Sequence, residues 1–409
     1  MSANNTTLIV GAGQAGLSVS YFLTMHGLDH IILEQKQIAE AWRSDKWDSF
    51  TLVTPNWTLQ LPGFAYRGNN PDGFLTREEV VQYLEDYAAS FDAPVQTGVT
   101  VTSVQKRGNK NDYAVKTSNG PYEVSNVVVA TGTFQKPKIP RITHHLPSNI
   151  QQIHSSQYKN PDQLPPGAVL VIGSAQSGCQ IAQELNEHGR QVFLSTGGAD
   201  RLPRRYRGKD SFWWAEKLGI FNQTVDQLPS QEARFNPNPQ VSGKDGGKTL
   251  SLQHLAENGV ELLGRLQATK DRKIFLKNDL KDNMARADKF DAEFKKGVDM
   301  YIEKTGMKIP EQPQKKHRTN YNIEDKTELH LEKAGITSTV WATGYKYDYS
   351  WIKLPVLDDM GYPIQNRGVT KYPGLYFVGL HWLHTRKSGL LLGVGEDAAY
   401  VASQIVQRS

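Results

Sequence analysis

The sequence predicts an α/β protein of two dinucleotide-binding, Rossmann-like domains, the second inserted into the first. Two observations carry that prediction. A strand, glycine turn, helix and strand follow one another twice, at residues 8–34 and 169–196, and a short apolar run enters Ala-Thr-Gly twice, at 127–132 and 340–344. At 409 residues the chain is long enough for two or three domains.

Leu8-Ile9-Val10 is a short apolar run of the kind buried on both faces of a parallel sheet. It enters Gly11-x-Gly13-x-x-Gly16, with Gln14 and Ala15 between the last two glycines. Leu17 to His26 reads as a helix that stops at Gly27, and His30 to Leu33 as a strand ending at Glu34 and Gln35. Each glycine answers a steric need. Gly11 permits the tight turn, Gly13 lets the backbone approach a pyrophosphate, and Gly16 lets helix and strand pack closely. The helix start offers unpaired N–H groups and a positive dipole end to phosphate. Glu34 stands about 20 residues further on, where a carboxylate takes the ribose hydroxyls.

Between Glu40 and Phe50, Trp42 and Trp47 flank Arg43, an arrangement that suits either a cover over a planar cofactor or a loop buried by its aromatics. Thr54, Asn56 and Trp57 surround Pro55, and Asn56 reads equally well as a turn residue. Thr76 and Glu79 have the spacing of a capping box, so a helix is expected from Arg77 to Ser90 with Val80, Val81, Leu84 and Tyr87 buried. Period-two alternation from Val95 to Val129, interrupted at Gly108 and Asn119-Gly120, predicts an antiparallel meander. It returns through Val127-Val128-Val129 into Ala130-Thr131-Gly132, and the proline-rich stretch 137–147 leads out of the domain.

Val169 to Ile172 repeats the opening and enters Gly173-Ser174-Ala175-Gln176-Ser177-Gly178. Ala175 replaces the central glycine, which makes the backbone approach less open. Thr196 stands in register with Glu34, and Arg201, Arg204, Arg205 and Arg207 follow it. A carboxylate would repel a ribose 2′-phosphate and arginines would hold one. This module is therefore read as the NADPH site, with Thr196, Arg201, Arg204 and Arg205 at the phosphate; a solvated basic loop is the other reading of the arginines.

Residues 205–320 are less regular. Short helices are expected at Ser211–Ala215 and Leu250–Gly259, a loop at Phe235–Gly247, and one long helix or two over Asn278–Thr305. His254, His317 and His330 stand apart, and no spacing suits a metal. Val340-Trp341 then enters Ala342-Thr343-Gly344, a further buried strand covers Gly374 to Leu380, and a glycine-rich stretch with Leu392 leads into a closing helix from Glu396. The resulting division is 1–160 with 325–409, and 161–324.

A net charge of +5, spread along the chain, suits anionic small ligands and gives no basic face for nucleic acid. No apolar run reaches the roughly 18 residues of a membrane span, and the polar opening Met1 to Thr6 is unlike a signal peptide. Cys179 is the only cysteine, so the chain has no disulfide and no redox-active dithiol of its own. A cytoplasmic location fits that usage.

Taken together, the two glycine turns, the two Ala-Thr-Gly returns and their order resemble the single-chain flavin-containing monooxygenases. That family has a fingerprint Phe-x-Gly-x-x-x-His followed at the fourth place by an aromatic residue. Here His154 and Tyr158 match, while Ser148 and Ile150 replace Phe and Gly. Trp47 to Trp57 and Arg201 to Gly208 are similar to stretches in bacterial flavoproteins of this length. The resemblance implies FAD on the first module, completed by the C-terminal residues, and NADPH on the second. It implies an enzyme that forms a flavin C4a-(hydro)peroxide and passes one oxygen atom to a small nitrogen, sulfur or carbonyl substrate. Thr54 and Asn56 are the candidates beside the reacting flavin, with Trp57, His381, Trp382, His384 and Arg386 near it. Expected partners are the small substrate and O2, without nucleic acid or membrane insertion; a homodimer is left open. An NADPH oxidase or reductase that oxygenates nothing, and a non-catalytic FAD-binding redox sensor, are the alternatives.

Overall fold

The computed structural model describes residues 6–108, 112–312 and 325–408; the first five residues and His317 lie outside the described residues. In chain order the elements that position the site are β1 (Thr7–Val10), α1 (Gln14–Met25), β2 (His30–Leu33), α2 (Arg77–Ala89), β3 (Val95–Gln96), β4 (Asn126–Val129), β5 (Gln151–His154), β6 (Ala168–Ile172), α3 (Gln176–Glu187), β7 (Val192–Ser195), β8 (Glu261–Leu263), α4 (Leu280–Thr305), β9 (Ile336–Trp341), β10 (Leu375–Phe377) and α5 (Val394–Arg408). They form two five-stranded sheets, ordered β10-β4-β1-β2-β3 and β5-β9-β6-β7-β8, and every pairing in both is parallel.

Both sheets are buried on two faces, and alternate residues along a strand enter different cores. Ile9, Ile32 and Val128 face one core with Leu17 of α1, Val80 of α2 and Val401 of α5, while Leu8, Leu33 and Val127 face another with Tyr113 and Val115. In the second sheet Val169, Val171 and Leu194 meet Cys179 and Ile181 of α3, while Leu170, Ile172 and Phe193 meet Ile274 and Leu276. This explains why the strands read as unbroken apolar runs: each position has a core to fill. Fully burying one such side chain contributes about 1.5–3 kcal/mol.

Helices cover one face of each sheet and an antiparallel meander covers the other. The first meander, Val101–Lys106, Tyr113–Thr117 and Gly120–Val124, agrees with the period-two pattern. A second meander, Leu266–Lys270, Lys273–Leu276 and Glu328–His330, lies in the stretch that reads as irregular, because its third strand is separated from the first two by α4. The capping box of α2 is present: Glu79 N–H donates to Thr76 Oγ1 at 3.3 Å and Thr76 N–H donates to Glu79 Oε2 at 2.8 Å.

The expected boundaries shift. β5 pairs with β9, and β9 pairs with β6, so residues 151–154 and 336–341 lie in the second sheet rather than with the first module. β9 looks like β4 in sequence, a buried run entering Ala-Thr-Gly; only its hydrogen-bond partners tell the two apart.

Candidate functional site

The two glycine turns match in their bonding. Gly11 N–H donates to the carbonyl of Leu33, and Gly173 N–H to that of Ser195, each at 2.9 Å. Both glycines have φ of +106°, and a Cβ there would lie 2.8 Å from the Ala130 carbonyl oxygen or 2.5 Å from that of Ala342. Each Ala-Thr-Gly return thus passes against its own glycine turn, and this close approach is what the small residues permit. Gly16 and Gly178 are just as constrained: a Cβ would fall 1.9 Å and 1.7 Å from the carbonyl oxygens of Gly11 and Gly173.

The central position differs. Gly13 and Ala175 cap α1 and α3 with nearly the same extended backbone, φ −88° and −76°, and neither helix start has a side-chain cap. A Cβ on Gly13 would meet nothing within 4 Å. Ala175 therefore keeps the backbone geometry that Gly13 has in the first turn. Both helix starts fit a phosphate.

Glu34 is buried, with Oε2 accepting from Ala12 N–H at 2.9 Å and Oε1 from Lys36 N–H at 3.0 Å. A carboxylate has about four acceptor positions, so two remain for a ribose. Gln35 is exposed beside it. The C-terminal residues close over this turn. Gln14 Nε2 donates to the Gly389 carbonyl at 2.9 Å, and a Cβ on Gly379 would lie 2.5 Å from that of Ala15. Leu392 is partly buried just ahead of α5. Trp42 packs against a core of each module, whereas Arg43 turns to the surface and pairs with Glu85 at 2.6 Å, away from the cradle.

The two returns meet. Lys136-Pro137, shortly after Thr131-Gly132, pair antiparallel with Tyr345-Lys346, shortly after Thr343-Gly344. Gln135 Nε2 donates to Thr131 Oγ1 and the Gly132 carbonyl at 3.0 and 2.9 Å. The Thr343 hydroxyl donates to the Lys138 carbonyl at 2.5 Å. The fingerprint histidine braces this crossing: His154, fully buried, has Nε2 3.0 Å from the Gly344 carbonyl, while Nδ1 accepts from Ser156 N–H at 3.2 Å. That pattern is the neutral Nε2–H tautomer, and burial lowers its pKa in the same sense. Tyr158, the other match, donates to buried Glu184 at 2.7 Å.

Five further expected site assignments do not survive. Arg201 is buried and paired with Asp288 at 2.6 Å and Asp291 at 3.5 Å. Arg204 is buried against Asp210 and lies over the rings of Phe74 and Phe212. Arg205 donates to the carbonyls of Gly246 and Gly247 at 2.7 and 2.8 Å. The three are structural cations that hold loops. Thr196 is likewise buried, donating to the Leu263 carbonyl at 2.8 Å. Asn56 is also committed: its Nδ2 donates to the Asn70 carbonyl at 3.0 Å and its Oδ1 accepts from Leu75 N–H at 2.8 Å, so it fastens the loop 70–75. The turn reading of Asn56 is the one the bonds favour. Thr54 is partly buried two residues away.

Two other arginines converge where a second-module ribose would lie. Gly197 and Gly198 follow β7, and a Cβ on Gly198 would be 3.1 Å from Arg286 Nη1 and 3.8 Å from Arg265 Nη2. Both side chains are more than half exposed, with Arg286 held by Asp200 at 3.1 Å and Arg265 beside Asp279 at 3.9 Å. No local pattern marks them. Arg265 follows β8 and Arg286 lies on α4; only the pairing of β8 with β7 and the packing of α4 bring them to the end of β7.

Of the C-terminal candidates, His381 borders Phe134 at 6.0 Å between ring centroids, and burial holds its pKa down at about 4. Trp382 has a φ of +55° and carries the Arg386 guanidinium 5.6 Å over its ring. His384 lies 3.9 Å from buried Asp397 on α5. A cleft of about 690 Å³ bordered by Gly167, Arg190 and Gly335 lies at the other end of the second sheet, by the strand starts. Ligands of open parallel sheets sit outside the carboxyl ends instead. Among the described residues no group of three or more His, Cys, Asp or Glu side chains could hold a metal, and no helix is long and apolar enough to cross a membrane.

The family model described as pyridine nucleotide-disulphide oxidoreductase matches residues 8–212, which spans the whole first glycine turn and the second. The chain belongs to that family. Pyridine nucleotide-disulphide oxidoreductases of this kind bind FAD and a pyridine nucleotide, and the two cradles fit those cofactors, FAD and NADPH. The chain is 36% identical over 403 residues to an uncharacterized CzcO-like oxidoreductase of Geobacillus kaustophilus, covering 98% of this chain and 97% of that one. It is 30% identical over 240 residues to the probable indole-3-pyruvate monooxygenase YUCCA3 of Arabidopsis thaliana, covering 53% and 55%. Its fold matches the flavin-containing monooxygenase from Stenotrophomonas maltophilia with a TM-score of 0.66 and 19% identity, covering 99% of both chains. The disulphide chemistry in the family's description has no cysteine pair here: Cys179 alone is present, buried on α3, and burial raises its thiol pKa.

Proposed function

We propose that the protein is an NADPH-dependent FAD monooxygenase that inserts one oxygen atom into a small organic substrate. The observation that carries this reading is the pairing of Lys136-Pro137 with Tyr345-Lys346, which joins the chain just past one Ala-Thr-Gly return to the chain just past the other, while the one thiol of the chain is buried. The likeness in fold to a flavin-containing monooxygenase supports it.

The FAD part is read as the first sheet with its C-terminal closing residues, and the NADPH part as the second sheet with α3 and α4. Gly11, Gly13 and Gly16 bring backbone N–H groups to the FAD pyrophosphate, and Glu34 accepts from the ribose hydroxyls. Gly173, Ser174 and Gly178 do the same for NADPH, and Arg265 and Arg286 take its 2′-phosphate, where two guanidiniums give bidentate bonds a single ammonium cannot. Flavin, when bound, supplies hydride acceptance and oxygen activation. The chain's own work is positioning and the exclusion of water, by Trp42, Phe134 and Tyr345 around the crossing.

NADPH consumption is measured with amines, thioethers and ketones, with peroxide quantified alongside. Coupled product with at least one class supports the reading. If every equivalent of NADPH ends as peroxide whatever the substrate, the protein is an oxidase and the reading fails. Replacing Arg265 and Arg286 by Ala raises KM for NADPH about tenfold or more and leaves that for NADH unchanged; equal effects on both nucleotides remove the phosphate assignment.

A further inference from the structure

We propose that Lys46 and Phe134 form a recognition site for the anionic group of an aromatic ligand at the crossing of the two modules. The inference rests on the reading above, in which nucleotide and substrate meet there.

Lys46 Nζ lies 4.8 Å from the ring centroid of Phe134, 5.5 Å from that of Phe50 and 5.7 Å from that of Trp42. Three rings from three separate positions thus surround one partly buried ammonium. An ammonium carries three donors, yet among the described residues no oxygen accepts from this one and no carboxylate forms an ion pair with it. Two charges stand near it: Asp45, which favours the charged ammonium, and more weakly Lys159, which opposes it and whose own ammonium is bonded to the carbonyls of Ser44 and Lys46. Burial pulls the Lys46 pKa down to about 8, and Asp45 offsets only part of that shift. Ring faces offset part of that cost, but they are no substitute for an anionic oxygen.

Phe134 supplies the second half. It is 43% exposed although it touches Lys46, Tyr345 at 5.0 Å and His381 at 6.0 Å. Phe134 stands two residues after Gly132 and Tyr345 directly after Gly344, so each Ala-Thr-Gly return delivers an aromatic side chain to the same spot. An open ring face beside an ammonium without a hydrogen-bond partner suits a planar ring carrying a carboxylate or phosphate: the ring stacks and the oxygens reach Nζ. The anionic oxygen has two sources, the carboxylate of a substrate or a phosphate of the nucleotide.

The test uses the full-length protein with its flavin and three variants, Lys46→Met, which keeps the packing and removes the charge, Lys46→Gln, should the Met variant prove insoluble, and Lys46→Arg, which keeps the charge. Binding of phenylacetate, of its neutral counterpart phenylacetamide, and of NADP⁺ is titrated by tryptophan fluorescence, for which Trp42 is a reporter inside the cage. Phenylacetate binding about tenfold tighter than phenylacetamide in the wild type, with the difference lost in K46M and kept in K46R, assigns the site to a substrate carboxylate. A tenfold loss of NADP⁺ affinity in K46M, with the phenyl pair alike in every form, assigns it to a nucleotide phosphate. Wild-type protein that holds flavin and oxidises NADPH, with K46M or K46Q matching it for all three probes, overturns the Lys46 assignment alone. Wild-type protein that holds no flavin overturns the monooxygenase reading itself.

Discussion

Arg204 Nη1 donates to the carbonyl oxygen of Val53 across 2.8 Å, and the two residues belong to different modules. The same guanidinium pairs with buried Asp210. Desolvation lowers the pKa of Arg204, and Asp210 works against that shift. One buried cation thus ties the loop before Pro55 to the segment after β7. Replacing Arg204 by Met leaves Asp210 charged and unpaired in a dry place and frees the Val53 carbonyl. Breaking a buried pair in this way costs about 3–5 kcal/mol. Urea unfolding is expected to show that loss in its midpoint, while the ratio of NADPH to NADH affinity stays as it was. A changed ratio with unchanged stability returns Arg204 to the phosphate site.

The glycine turns make a graded set. Gly178→Ala pushes a methyl group to 1.7 Å from the Gly173 carbonyl oxygen, which nothing flexible can relieve, so the variant is expected to fold poorly and lose nucleotide binding. Ala175 has φ of −76°, which glycine also adopts, so Ala175→Gly is expected to cost no more than about 1 kcal/mol of helix stability. Thermal melts of the two variants beside the wild type read both outcomes.

The sequence showed the repeated architecture because each glycine turn is a local object: the residues that need one another lie within a short stretch of chain. Gly11 with Gly16 and Gly173 with Gly178 could be read directly. The arginines after Thr196 could not. Charge in a loop says nothing of burial, and Asp210, Asp288 and Asp291, which capture Arg204 and Arg201, lie on later elements. Asn56 went the same way, its amide consumed by a loop further along the chain. Arg265, Arg286 and Lys46 acquire meaning only from strand order and ring packing. The sheet boundary failed for a related reason, since β9 carries the same local pattern as β4.

Cys179 has no exposed surface, and its sulfur donates to the Ser174 carbonyl at 3.2 Å. Burial raises its pKa, so the thiolate that reacts with reagents is scarce in the folded state. A disulfide reagent such as dithionitrobenzoate is expected to leave the native protein unmodified for hours and to titrate one thiol per chain in denaturant. Cys179→Ala is expected to keep NADPH oxidation and to lose about 1 kcal/mol of stability for the small cavity. Loss of NADPH oxidation in that variant would point back to thiol chemistry.

Stability is expected to fall on the acid side of neutrality, and imidazoles set the window. His381 and His154 are both held below the ordinary value of 6.5 by burial, His381 down to about 4. Between pH 6.5 and 4 an unfolded chain protonates these rings while the folded chain leaves His381 neutral, so the unfolded state binds more protons and is favoured as pH falls. Stability is full above pH 6.5 and declines toward 4, by up to about 1.4 kcal/mol per pH unit for each imidazole that stays neutral in the fold. Asp397 acts in the opposite direction, because burial raises its carboxyl pKa and protonation there favours the fold. The measurement is therefore a difference: urea midpoints at about pH 7 and about pH 5 for the wild type, His381→Asn and Asp397→Asn. His381→Asn is expected to flatten the profile, and Asp397→Asn to steepen it. A profile that His381→Asn leaves unchanged means that the ring is protonated in the folded protein and that a counter-charge reaches it.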